Sequence, residues 1–123
     1  DPVQTEILAI LATVARLSGE RSQDIDYRFA SGSMRLPASC ASSKELPPEI
    51  TWRELQDYLS KLNTASTKIK QTAIAACLEA AGDPRQLDPD AADLLRTIAI
   101  LLNLPVPAQL ERATKSKSAA IVG

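Results

Sequence analysis

Between Lys70 and Gln109 the chain carries two apolar stretches, separated by a short acidic turn at Ala81 to Asp88 and closed by Leu-Pro-Val-Pro. Their aliphatic residues recur every three or four positions, which places them on one side of a helix rather than on alternate faces of a strand. The same spacing returns upstream, so helix is the only regular element the pattern supports. Only 3% of residues are aromatic while 45% are hydrophobic, and a core made of Leu, Ile, Val and Ala suits helices packed on helices. With 123 residues there is room for one domain with a core that needs neither disulfide nor metal. The expected fold class is all-α, a compact bundle of about five helices.

The first helix is expected over Val3 to Ser18, where Val3, Ile7, Ile10, Leu11, Val14 and Leu17 form a stripe ending at Gly19. Leu8, Ala12 and Ala15 widen it, which predicts burial on more than one side. Ser22 is positioned to cap a second helix with Asp24 and Asp26 in its first turn. Ile25 and Phe29 share a face that Gly32 extends, and a missing side chain there is useful only if another helix comes close. Pro37, Pro47, Pro48 and several serines mark residues 37–50 as a connection. Thr51-Trp-Arg-Glu54 matches a capping box ahead of Trp52, Leu55, Tyr58, Leu59 and Leu62, a third helix. Thr64 or Ser66 caps a fourth, with Ile69, Ala73, Ala76, Cys77 and Ala80 on its stripe and Gly82-Asp83-Pro84 at its end. Asp88-Pro89 opens a fifth by cap and first-turn proline, with Leu94, Leu95, Ile98, Leu101 and Leu102 as its apolar side until Pro105 and Pro107 stop it. Residues 1–36 thus read as an N-terminal helical pair, 51–110 as further helices of the same domain, and 111–123 as a disordered tail.

Charge and residue type exclude several classes of function. Fourteen basic and fifteen acidic residues leave a net charge of -1, which supplies no field for nucleic acid. The basic run Arg112, Lys115 and Lys117 reads as a solvated end, with contact to anionic lipid or an acidic partner as the alternative. Cys40 and Cys77 are too few for a disulfide framework, and the absence of histidine removes the usual zinc sites and the base of a Ser-His-Asp or Cys-His arrangement. Cys77 reads as a small buried hydrophobe and Cys40 as a free thiol, which favours a reducing compartment. The longest apolar run, Ile7 to Ala12, falls far short of the ~20 residues of a membrane span. The opening Asp1-Pro2 without an initiating Met leads us to expect a piece of a longer chain.

Glu79, Asp83, Asp88, Asp90 and Asp93 gather around one helix-to-helix turn. Such a density of carboxylates can hold a hard divalent cation, yet the alternating ligands and central glycine of an EF-hand loop are missing. Capping and complementarity to the helix dipole account for Asp88 and Asp90 without an ion. No residue is assigned a catalytic or cofactor-binding role. From the residues alone the chain is an all-helical interaction domain and nothing narrower.

The run Ile69 to Ala108 resembles tellurite-resistance TerB-like domains in three features. These are Ala-Ala-Cys before the acidic turn, Asp-Pro-Asp-Ala-Ala-Asp-Leu-Leu-Arg-Thr-Ile-Ala opening the next helix, and Leu-Pro-Val-Pro at its end. More narrowly it is similar to the C-terminal version in bacterial HtpX-like, CAAX-prenyl-protease-like membrane zinc metallopeptidases. The likeness extends upstream over an apolar helix like Val3 to Leu17, a segment like Phe29-Ala30-Ser31-Gly32 and a proline-bearing connection, with residues 51–110 as the TerB-like helices. It implies a parent whose HExxH helix, zinc and membrane spans lie upstream, and none of those ligands transfers to a residue here. Asp83, Asp90 and Asp93 match the family's acidic positions and are the candidate metal residues, although Gly82-Asp83-Pro84 replaces the usual Ala-Asp-Gly and Ala91 stands where Glu is common.

The function this implies is that of a non-catalytic C-terminal accessory or regulatory domain of a membrane-bound zinc metalloprotease of the protein quality control class. Its partner would be the protease core of the same chain or another protein, and it would meet the membrane only through the parent. As a soluble domain it would lie on the cytoplasmic side of a bacterial inner membrane. The alternative is a free-standing TerB-like stress-response module holding a divalent cation in the acidic turn, and a third reading is a structural oligomerisation domain.

Overall fold

The computed structural model describes residues 4–36, 46–82, 87–107 and 110. They form five helices and no strand among the described residues: α1 (Gln4–Ser18), α2 (Ser22–Ser33), α3 (Trp52–Asn63), α4 (Thr67–Ala81) and α5 (Pro89–Leu101). The all-α expectation holds.

Helix α1 is the axis of the bundle, because it contacts each of the other four. Its sequence permits this: Ile7 through Ala12, with Val14 and Ala15, are all buried, so its apolar surface wraps well beyond one stripe. Helices α2 and α4 pack on α1 and on each other, while α3 and α5 close the remaining sides. The helices come close at Gly32, where an added β-carbon would stand 2.6 Å from Leu11 Cδ1 and 2.7 Å from the Ala76 carbonyl oxygen. The glycine on α2 and the alanines on α4 let the two backbones meet. Helix α3 is the simplest amphipath, burying only Leu55, Leu59 and Leu62.

The helix starts at α3, α4 and α5 follow the sequence. Thr51 Oγ1 accepts from Glu54 N–H and Glu54 returns the bond to Thr51 N–H, a complete capping box. Ser66 rather than Thr64 caps α4, accepting from Ile69 N–H at 3.3 Å. Asp88 caps α5 and Pro89 occupies its first turn.

Helix α2 starts differently. Ser22 is its first helical residue, and Arg21 holds the cap position with no side-chain cap bond. The Asp24 carboxylate reaches back instead, accepting from Glu20 N–H at 3.3 Å, a role that the positive end of the helix favours.

Two helix ends are closed by side chains and glycine-like backbone. Arg28 of α2 donates to Asp24 at 3.1 Å and, through Nη1, to the Ala80 and Ala81 carbonyls at 3.1 and 2.8 Å. A guanidinium thus satisfies the last-turn carbonyls of α4, which have no partner within the helix, where Gly82 leaves it with φ 89°. The hydrogen bond from Arg28 holds the Asp24 carboxyl below the ordinary carboxylate value. Helix α5 stops before the prolines expected to end it. Asn103 takes φ 58°, and Leu104 N–H donates to the Ala99 carbonyl while Asn103 N–H donates to that of Ile100. This is a Schellman arrangement with asparagine in the left-handed position. Asn63 Oδ1 then accepts from both Asn103 Nδ2 and the buried Lys70 ammonium, each at 3.2 Å, which joins the ends of α3 and α5 to the start of α4.

Three residues of the expected apolar stripes face solvent. Leu17, Trp52 and Leu101 are 40%, 55% and 42% exposed. All three lie in the first or last turn of their helices, where the neighbouring elements no longer cover the stripe. Beyond Leu101 the burial passes to Leu102.

Candidate functional site

The acidic turn is the first place to look for chemistry, and two of its carboxylates, Asp88 and Asp93, are engaged within α5. Asp88 Oδ1 accepts from Asp90 N–H at 2.8 Å and Ala91 N–H at 3.4 Å. Asp93 pairs with Arg96 one turn along α5, and Glu79 pairs with Arg35 at 3.6 Å. Asp90 is exposed at the start of α5. Asp83 lies outside the described residues, as do Cys40, Arg112, Lys115 and Lys117. Among the described residues, no three acidic or cysteine side chains gather as a metal site would require.

Cys77 is buried in the middle of α4 against the core. Its apolar surroundings push the thiol up from 9.0 to about 12, so it stays protonated and unreactive at neutral pH.

A different feature has the shape of a binding site. The N-terminal half of α1, residues 46–50 and the first two turns of α3 enclose an open groove of about 620 Å³. That volume lies in the range of sites that receive small ligands or a few side chains of a partner. Leu8 and Ala9 of α1, Leu46, Pro47 and Ile50 of the connection and Tyr58 of α3 supply its apolar lining. Gln4, Thr5, Glu49 and Glu54 supply the polar part, with two carboxylates and no Lys or Arg among the described lining residues.

Each wall has a local cause. Pro47 and Pro48 cannot extend a helix and carry no N–H, so the segment before α3 runs as irregular backbone without donors at those two positions. Arg16 of α1 donates to the Pro47 carbonyl and ties that segment to the bundle axis. Ile50, directly before the Thr51 cap, packs on the core that contains Leu55, as a hydrophobic staple would. Glu54 Oε1 accepts from Thr51 N–H at 3.0 Å, so the capping box also fixes one of the two groove carboxylates.

None of the groove residues stands out in the sequence as a site. The available signal is Leu46 and Ile50, two aliphatic residues within a stretch whose prolines and serines otherwise read as a solvated connection. The surface patch is assembled from two segments far apart along the chain, residues 4–9 and 46–58, and no local spacing announces it.

No protein family matches this chain, and neither does any curated protein or solved structure.

Proposed function

We propose that this chain is a non-catalytic interaction domain, and that it serves as the TerB-like accessory domain of a membrane-bound zinc metalloprotease. The observation that carries the interaction reading is the groove. It sets half-buried apolar residues, Leu46, Pro47, Ile50 and Tyr58, beside the polar Gln4, Thr5, Glu49 and Glu54, between the central helix and a capped α3. The engaged carboxylates of the acidic turn favour the same reading, since Asp88 and Asp93 serve capping and an intrahelical ion pair.

The attachment to a protease rests on the resemblance of residues 69–108. In that setting the bundle would lie on the cytoplasmic side of a bacterial inner membrane and meet the protease core or a substrate protein. No described helix is long and apolar enough to cross a membrane, and in the setting that the resemblance implies, contact with the bilayer would come through the parent. The zinc and its HExxH ligands would belong to the upstream protease domain, and this chain would contribute none of them.

The coding sequence upstream of Asp1 tests the attachment. An HExxH motif and apolar spans of about 20 residues are expected there. A start codon directly before Asp1 would remove the protease parent and leave the interaction reading to stand by itself.

A further inference from the structure

We propose that the groove between α1, residues 46–50 and α3 receives a short peptide segment whose apolar side chains are flanked by lysine or arginine. This deepens the interaction reading and rests on it. The apolar part follows from Leu46, Ile50 and Tyr58, which are half-buried and keep part of their aliphatic and aromatic surface open to an occupant. The cationic flanks follow from charge. Glu49 and Glu54 are the charged side chains among the described residues of the lining, and both are acidic.

Glu49 is exposed and forms no ion pair among the described residues, while Glu54 has one oxygen committed to the Thr51 cap. Both carboxylates are exposed, so each attracts an incoming cation through water and the attraction weakens with salt. The same two charges oppose an anionic lipid surface, a phosphate group or an acidic peptide. Pro47 and Pro48 offer no N–H, so the occupant is recognised mainly through its side chains.

Two fluorescein-labelled octapeptides test this, one with Leu-Val-Leu-Ile between pairs of lysines and the other with the same core between pairs of glutamates. Fluorescence anisotropy on the full 123-residue chain is expected to show the lysine-flanked peptide binding at least about tenfold more tightly. Glu49→Lys should weaken that peptide by about fivefold, with Glu49→Gln between it and the parent. Because Glu49 is exposed, both variants should keep the parent's circular dichroism and melting temperature. Backbone amide shifts on binding should fall on Gln4 to Ala9 and on Leu46 to Tyr58, prolines aside.

Equal affinity for the two peptides, affinity unmoved by Glu49→Lys, or no binding at millimolar peptide would overturn the proposal. Shifts confined to another face would overturn it while leaving the interaction reading intact. The protease parent fails separately, on the upstream sequence.

Discussion

At Gly32 the absence of a side chain decides how two helices meet. A methyl group there would lie 2.7 Å from the Ala76 carbonyl, which is backbone and cannot swing aside. Gly32→Ala should therefore lose up to about 2 kcal/mol, because overpacking of about 1 to 3 kcal/mol exceeds the roughly 1 kcal/mol that alanine gains in a helix. Urea denaturation measures it, and a gain in stability would mean that α2 and α4 stand further apart. Cys77 makes a second prediction at this scale. In a Cys40→Ser background the native protein should resist a thiol reagent at pH 8 and react only on unfolding, since burial raises the Cys77 pKa to about 12. Rapid labelling of the folded protein would place Cys77 outside the core. Both roles were readable from sequence, the glycine from its place on an apolar face and the cysteine from its alanine and leucine neighbours. The exposure of Trp52 was not, because spacing assigns a side of the helix without saying how far along it the neighbours extend.

Helix boundaries were legible where a side chain does the capping. Thr51, Ser66 and Asp88 act at the starts their sequences indicate, and Asp88→Ala should cost about 0.5 to 2 kcal/mol in chemical denaturation. Asp90→Ala should cost less, since its carboxylate does not serve as the cap. Equal losses would shift the role from the Asp88 side chain to the general charge of the turn. Boundaries set by reach or by backbone conformation were hidden. The start of α2 depends on Asp24 reaching back to Glu20, and the end of α5 on Asn103 adopting a left-handed conformation before any proline is reached. The end of α4 draws on Arg28, fifty-two residues before Ala80, a partnership that no local pattern contains.

For the whole molecule, the fold class was open to reading because each helix declares its own apolar face, whereas the arrangement around α1 and the groove arises only when distant segments assemble. The width of the α1 stripe, with Leu8, Ala12 and Ala15 beside it, was a hint that this helix is covered on more than one side. The groove is a product of that arrangement: α1 forms one wall, α3 another, and Arg16 holds the intervening connection. The account therefore depends on α1 being the axis of the bundle. Native-state hydrogen exchange tests this most directly, since amides buried at the centre open only with global unfolding. The amides of Leu11 to Ala15 should be the slowest in the protein and should exchange with the free energy of unfolding measured independently. If they exchanged faster than the central amides of α3 or α5, α1 would be a peripheral helix and the account would be contradicted.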